Sequence, residues 1–268
     1  MWRHWVVASL AALLTACGTL PSANADLQGL LPTPLLLVGE LHDAPEHQAL
    51  QRDTVRQLAA RGELAAVVME MVEQGRQTTG LAPDAGETQV REALDWSAAR
   101  NAAGWPWEVY GPVVMAAVRA GVPVTGGNLP RAQMRTVMAE VALDDSLPAA
   151  ALQQQRDAIR EGHCQLLPES QVAPMTRIQL ARDRAMAQTA LAAMRPGRTV
   201  LLVAGNGHVR KDLGVPRHLP AGQAHRVVVA LSQDAASALD AAQADRIWFT
   251  PARRPQDHCA EMRQQMTR

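Results

Sequence analysis

An α/β fold is predicted, with a mostly parallel sheet flanked by helices and a helical insertion or subdomain around residues 131–194. Three observations predict it. Short apolar runs, each of strand length, are separated by segments of helical composition. The runs are continuous rather than alternating, as expected for strands buried on both faces of a parallel sheet. Strand and helix also alternate along the chain, which favours right-handed crossovers within one sheet.

Most of the predicted strands end at glycine, asparagine or acidic residues, which mark the points where the chain leaves the sheet. The strands cover residues 35–38, 66–69, 122–125, 200–203, 227–229 and 247–249. The predicted helices between them cover residues 46–60, 112–120 and 174–194. The stretch from Arg131 to Met194 contains no good strand, so we expect it to be helical, with breaks near Pro148 and between His163 and Pro168.

The composition excludes several classes of protein. The chain of 268 residues is 47% hydrophobic and 19% charged, which excludes a disordered or collagen-like protein. Its 26 Lys and Arg balance 26 Asp and Glu, so there is no basic surplus to indicate nucleic-acid binding. Aromatic residues make up only 3%, so the core must be built from Ala, Leu, Val and Met.

The N-terminus has the pattern of an export signal. A basic end precedes an apolar run from Val6 to Leu14 that is too short to span a bilayer as a permanent helix. The run leads into Leu-Thr-Ala-Cys17, which resembles a bacterial lipobox, where cleavage leaves the cysteine lipidated. A plain signal peptide with an incidental cysteine is the alternative. The expected divisions are a signal peptide (1–16), a lipidated N-terminus and tether (17–32), the α/β domain (33–250) and a C-terminal tail (251–268).

Export changes the interpretation of the two remaining cysteines. With Cys17 lipidated, Cys164 and Cys259 are an even pair in an oxidising compartment. A disulfide between them would close a loop of about 95 residues, and two separate buried thiols are the alternative. The sequence has no CxxCH haem-attachment motif and no zinc-finger spacing.

Two turns share a pattern in which an apolar strand ends at glycine and a histidine follows three residues later. They are Gly39–His42 and Gly205–His208, and a third strand delivers Glu70 at its carboxyl end. Ligands of open α/β sheets bind beyond these strand ends, so we expect one polar cluster there. Such a cluster can bind a metal or perform acid–base chemistry, although capping of helices and strand ends is the alternative. The predicted cluster consists of Glu40, His42, Glu70 and His208.

An ordered series of motifs resembles the ChaN-like haem-binding lipoproteins, a branch of the fold shared with erythromycin esterases and Tiki/TraB proteins. The series begins with Gly39-Glu40-Leu41-His42-Asp43 and ends with Gly205-Asn206-Gly207-His208-Val209-Arg210. Between them, the similar segments are residues 107–112, 127–130, 163–169 and 182–187. The similarity covers residues 33–250, and the order of the motifs carries it rather than any single one.

The resemblance implies a haem-binding protein linked to iron uptake, rather than an enzyme, in the cell envelope of a bacterium. It also implies a homodimer held at the outer membrane by the lipid on Cys17 alone. In the family a tyrosine is the axial ligand to the haem iron, and Tyr110 is the only tyrosine of this sequence. His163 is the candidate for the assisting histidine from the neighbouring subunit. A buried tyrosine whose hydroxyl meets a backbone carbonyl is the alternative for Tyr110.

The roles of two pairs of charged residues are left open by the sequence. Arg131 and Arg135, one helical turn apart, could meet haem propionates, although a solvated helix face explains them more simply. Arg182 and Asp183 could orient the polar cluster or pair with each other, and a position on the helix surface explains them equally well.

The esterase relatives leave a hydrolase as the alternative function. A histidine, with or without a divalent metal, would activate water while a carboxylate carries protons. The catalytic residues would then be Glu40, His42, Glu70 and His208. Against this alternative, the sequence contains neither a nucleophile elbow nor an HExxH motif.

Overall fold

A six-stranded sheet forms the centre of the structure, a computed structural model that describes residues 27, 29–97, 105–233, 239, 241–252 and 257–266. Its strands are β1 (Leu35–Glu40), β2 (Leu64–Glu73), β3 (Val124–Asn128), β4 (Thr199–Gly205), β5 (Arg226–Ser232) and β6 (Arg246–Thr250). They lie in the order β3-β2-β4-β1-β5-β6, and all neighbours are parallel. The predicted fold class is therefore confirmed. The predicted signal peptide and Cys17 lie outside the described residues.

Helices flank the sheet on both faces. They are α1 (Pro45–Ala60), α2 (Glu87–Ala93), α3 (Trp107–Arg119), α4 (Met134–Met138), α5 (Ala149–Gly162), α6 (Glu169–Ala193), α7 (Asn206–Val209) and α8 (His258–Met266). Short 3₁₀ turns cover Arg131–Gln133, Val141–Ser146 and Val215–His218. In the part of the chain that is described, no helix has the length and apolar character needed to cross a membrane.

The strands continue past the apolar runs that predict them. β1 includes Glu40, β4 ends at Gly205, and β2 runs through Glu70 to Glu73 with an irregular pairing to β3 after Met69. The ladder is made by backbone groups, so it does not stop where side chains become polar. The polar residues expected just after the strands are therefore held within the sheet, where their positions are fixed.

Two helices begin five residues earlier than their prolines suggest. Pro112 and Pro174 were expected to start helices, but α3 begins at Trp107 and α6 at Glu169. Each proline removes one backbone hydrogen bond from the second turn of its helix. In α3 this cost is offset by burial, because the added turn carries Trp107 (5% exposed) and Tyr110 (0% exposed) into the core. The correction matters because it places Tyr110 on a helix.

Three hydrophobic cores hold the layers together. On one face of the sheet, α1 and α3 pack through residues such as Leu58 and Val114. On the other face, the C-terminal half of α6 packs through Met186 and Ala190. The N-terminal half of α6 packs instead with α4 and α5 in a third core of Leu129, Val137, Leu143, Leu147, Leu152, Ile178, Leu180 and Ala181. The predicted helical insertion is thus confirmed, with breaks at the predicted positions, and α6 joins it to the sheet.

The C-terminal segment is fastened to the body of the molecule at two points. Cys164 and Cys259 form a disulfide that attaches α8 to the loop after α5. Next to it, the imidazole Nε2 of His258 lies 3.4 Å from the carboxylate Oδ2 of Asp43. The segment expected to be a tail therefore contains a helix that lies beside the β1–α1 loop.

Candidate functional site

The strand register brings the predicted polar cluster together. Glu40 pairs with Gly205 across β1 and β4, and β2 lies on the far side of β4. The backbone N–H of Gly205 donates to Oε2 of Glu70 at 2.8 Å. Three neighbouring strands therefore place Glu40, Gly205 and Glu70 side by side at the carboxyl edge of the sheet, where the sequence predicts the site.

Glu40 is the centre of one half of this cluster. Its Oε1 lies 2.7 Å from Nδ1 of His42 and accepts the hydroxyl proton of Tyr110 at 2.5 Å. Its Oε2 accepts amide N–H groups from Gln48 at 2.9 Å and Gln51 at 2.6 Å. A carboxylate can only accept, so we assign the His42 proton to Nδ1. The buried carboxylate is fully hydrogen-bonded, and it fixes the orientation of the His42 ring.

Asp183 does the same for His208 in the other half. Oδ1 of Asp183, which is fully buried in α6, lies 2.6 Å from Nδ1 of His208. Of the two predicted roles for this aspartate, orientation of the cluster is the one observed. His208 follows β4 in the short helix α7, and its side chain is 14% exposed.

Glu70 lies between the two imidazoles. Its Oε1 is 3.4 Å from Nε2 of His208, and its Oε2 is 3.9 Å from Nε2 of His42. The cluster is therefore a row of alternating acids and imidazoles, Glu40–His42–Glu70–His208–Asp183. Such a row can hold a proton at either histidine and orient both rings.

Burial and the neighbouring charges shift the pKa values of His42, Glu70 and His208. Burial acts to lower the pKa of His208, but the charges of Glu70 and Asp183 outweigh it and raise that pKa. Burial acts to raise the pKa of Glu70, and the two histidines lower it well below its usual range. The pKa of His42 is raised despite burial, through its hydrogen bond to Glu40 and the charge of Glu70. At neutral pH, Glu70 is therefore anionic and His208 protonated.

Gly205 makes room for His42. A Cβ atom at this position would lie 3.1 Å from Nε2 of His42 and 3.6 Å from Oε2 of Glu70, which is tight on the first contact. The glycine that ends the apolar run of β4 thus lets an imidazole from the β1–α1 loop approach Glu70 across the strand end.

Tyr110 and His163 lie in different surroundings. The Tyr110 side chain is fully buried and its hydroxyl binds a carboxylate, rather than the backbone carbonyl considered from the sequence. His163 follows the last residue of α5, and its Nδ1 lies 2.8 Å from the carbonyl of Ile159. It shares with His208 a cavity of about 230 Å³. The contacts therefore connect Tyr110 with His42, and His163 with the His208 side.

Three contributors to the site carry no motif in the sequence. Gln48 and Gln51 were missed, although their spacing of three on the buried face of α1 is a signal that could have found them. Trp105, whose ring centroid lies 6.1 Å from that of His42 at 72°, was not predicted as part of the polar cluster. It also lines a cavity of about 400 Å³ at the carboxyl ends of β2 and β3.

The cluster is not arranged as a metal centre. Within the described ranges, no group of three or more His, Cys, Asp and Glu side chains is placed to hold a metal ion. The row instead alternates acids with bases, each within hydrogen-bonding or ion-pair reach of the next.

A solved structure shows the same fold. The chain is similar to the structure described as "Cofacial heme binding to ChaN of Campylobacter jejuni", with a TM-score of 0.64 and 22% identity over 80% of this chain and 86% of that one. A type III effector, HopBA1, matches at a TM-score of 0.45 and 15% identity, covering 82% of this chain and 88% of that one. A mutant erythromycin esterase, EreC, matches at 0.40 and 15%, covering 75% and 70%.

Sequence comparison is more specific. No curated protein matches the chain. A family model does match residues 27–219, a range that holds β1 to β4, α7 and the whole polar row. Since that match covers most of the chain, the protein belongs to the family described as haem-binding uptake, Tiki superfamily, ChaN.

Proposed function

We propose that this chain is an exported, lipid-anchored protein that binds haem and serves haem or iron uptake. The observation that carries the proposal is the family match over residues 27–219. The Campylobacter jejuni ChaN structure, which shares the fold, is described as binding haem cofacially. Bound haem would supply iron as the cargo of the protein.

Tyr110 does not fit the role of iron ligand in this arrangement. A tyrosine ligates haem iron through its oxygen, and here that oxygen is buried and donates its proton to Glu40. Burial, followed by the charge of Glu40, raises the pKa of Tyr110 far above its usual value. To ligate iron, the phenol would have to lose this proton beside a carboxylate and leave its hydrogen bond.

His42 fits the role better. Metal-binding histidines commonly donate their second ring N–H to a carboxylate, and Nδ1 of His42 does so to Glu40. The side chain of His42 is 40% exposed, and the apolar ring of Trp105 lies against it. We therefore propose that Nε2 of His42 would hold the iron in exchange for its contact with Glu70, while Glu40, which also accepts from Tyr110, keeps the ring oriented through Nδ1.

Titration with haemin tests both the function and the ligand. We expect the purified protein and Tyr110→Phe to give a saturable Soret band of the same shape, because neither Glu40 nor His42 is removed. His42→Ala should bind haemin about tenfold more weakly or worse, with a changed spectrum. Loss of the band in Tyr110→Phe alone would restore the tyrosine as ligand. A non-saturating titration of the unsubstituted protein would reject haem binding.

The location of the protein is part of the proposal. We propose that Cys17 carries the lipid, that the anchor places the protein at the outer membrane of a bacterial cell envelope, and that the protein is a homodimer. The Cys164–Cys259 disulfide supports export, because disulfides persist in oxidising compartments. Labelling with radioactive palmitate should mark the protein but not Cys17→Ser, and light scattering of the purified protein should give twice the chain mass.

A hydrolase is a second candidate, and a specific observation favours it. The row of Glu40, His42, Glu70 and His208 holds an accessible imidazole with its Nδ1 on a carboxylate, which is the arrangement of a general base. In this function His42 would take a proton from water while Glu40 keeps its ring oriented. Hydrolysis of p-nitrophenyl esters that His42→Ala abolishes, in a protein giving no Soret band, would establish this candidate over haem binding.

A further inference from the structure

The cavity lined by Trp105, whose ring contacts that of His42, has a mixed lining that the proposed iron site does not explain. It lies where β2 and β3 end. Leu129 and Met134 add apolar surface. The cavity is also lined by two arginines from different elements. Arg131 comes from the 3₁₀ turn after β3, and Arg182 comes from α6.

Both arginines lack the partners that their neighbours have. On the same helix as Arg182, Arg177 makes a bidentate pair with Asp144, and Arg184 binds Glu140 at 3.1 Å. Among the residues that the structure describes, Arg131 and Arg182 form neither ion pairs nor hydrogen bonds through their side chains, and Nε of Arg182 is buried without a partner. A buried guanidinium N–H without an acceptor is costly, so this position is suited to a ligand that supplies one.

The acidic side chains around the cavity do not fill this need. Glu73 and Asp95 also line it, but neither is without a partner, and Asp95 lies 3.6 Å from Arg76. The charge of Arg182 also acts on the adjacent Asp183, where burial raises the pKa and this charge acts to lower it, but Nε of Arg182 still has no hydrogen-bond acceptor. Both guanidinium groups at this cavity therefore have N–H donors left for an added anion.

We infer that this cavity is the subsite for the carboxylate groups of the ligand, with Arg131 and Arg182 as their partners. The inference rests on the proposed haem-binding function, because haem carries two propionates at one edge. Guanidinium groups bind carboxylates through paired charge-assisted hydrogen bonds, and two arginines match two carboxylates. Of the arginines considered from the sequence, Arg131 lines the cavity whereas Arg135, one turn further, does not.

The test compares haemin with haemin dimethyl ester, in which both carboxylates are blocked and the iron is unchanged. Kd values are measured for the full chain and for Arg131→Gln, Arg182→Gln and Arg135→Gln. We expect the unsubstituted protein to bind haemin about a hundredfold more tightly than the ester, about tenfold for each arginine–carboxylate pair. Arg131→Gln and Arg182→Gln should each weaken haemin binding by about tenfold and leave ester binding unchanged. Arg135→Gln is the matched control and should behave like the unsubstituted protein.

A further variant separates binding from structure at Arg182, which is next to Asp183. Arg182→Lys keeps the charge and should recover part of the haemin affinity, and the thermal unfolding of all variants shows whether they fold. Equal binding of haemin and its ester by every variant would overturn the inference and leave haem binding intact. If the unsubstituted protein binds neither compound, the proposed function and this inference fail together.

Discussion

The two imidazole–carboxylate pairs of the row have the same local chemistry but different access to solvent. His42 holds Nδ1 on Glu40 and is 40% exposed, whereas His208 holds Nδ1 on Asp183 and is 14% exposed. Both direct Nε2 toward Glu70. Under the proposed function this difference would divide the roles of the two histidines: His42 would bind the ligand, while His208 keeps Glu70 charged and in place.

The two pairs are also built differently. Glu40 and His42 are two residues apart, so the end of β1 and the loop after it make the first pair almost alone. Asp183 and His208 are 25 residues apart, on α6 and α7, and meet only when the helical layer packs on the sheet. The first pair is therefore a local feature, and the second depends on the tertiary fold.

Removal of Glu70 breaks the link between the pairs and should have the largest effect. Glu70→Ala leaves His208 with one carboxylate instead of two and the N–H of Gly205 without its acceptor. We expect the free energy of unfolding to fall by about 3–5 kcal/mol, the cost of breaking a buried ion pair. Urea denaturation measures it. Glu63→Gln, at the partly exposed residue just before the same strand, is the control and should change stability by less than about 1 kcal/mol. A similar small loss in Glu70→Ala would show that the row is not coupled.

The disulfide offers a way to disturb the surroundings of His42 through α8. Cys259→Ser opens a covalent loop of 95 residues and frees α8, which also contacts Asp43 through His258. We expect a stability loss of about 2–4 kcal/mol and faster hydrogen exchange in the β1–α1 loop. Cys164→Ser and the double variant should lose the same amount, since each removes the same bond. Additive losses would indicate that the thiols, rather than the bond, stabilise the protein.

Most of the row could be predicted because its members stand at strand ends. Glu40, His42, Glu70 and His208 follow or end apolar runs, and the sheet brings such positions to one edge. The sequence left the role of Asp183 open, because its helix has no periodicity that shows which side chain meets β4. The same apolar runs predicted the fold class. They did not predict the residues that position the two imidazole–carboxylate pairs.

Tyr110 shows where prediction from a motif stops. The sequence offers one tyrosine and the resemblance offers it a role, but its environment depends on where α3 begins. Because the helix starts before Pro112, the phenol points into the core toward Glu40. Burial and hydrogen-bond partners of this kind are set by packing between distant segments, Glu40 and Tyr110 being 70 residues apart.

The pH dependence of stability compares the two histidines directly, although the expected effect for each pH unit is the smallest of the three. A histidine whose pKa is raised by folding stabilises the protein below its unfolded pKa of about 6.5, and this contribution is lost as the pH rises through the raised value. The pKa values of both histidines are raised here. Burial acts to lower the pKa of His208, but the charges of Glu70 and Asp183 outweigh it. The pKa of His208 is raised to about 10, so stability should fall as the pH rises from about 6.5 toward 10, by up to about 1.4 kcal/mol for each pH unit.

The two histidines should contribute unequally to this fall. His208 is the more buried, so water screens its ion pairs less than those of His42. Urea denaturation at several pH values should give a flatter curve for His208→Gln and only a slightly flatter one for His42→Gln. The slope of the curve, rather than its height, is the readout, because either variant also loses packing. Equal flattening would mean that solvent access does not distinguish the pairs, and the proposed division between a ligand-binding and a charge-holding histidine would be wrong.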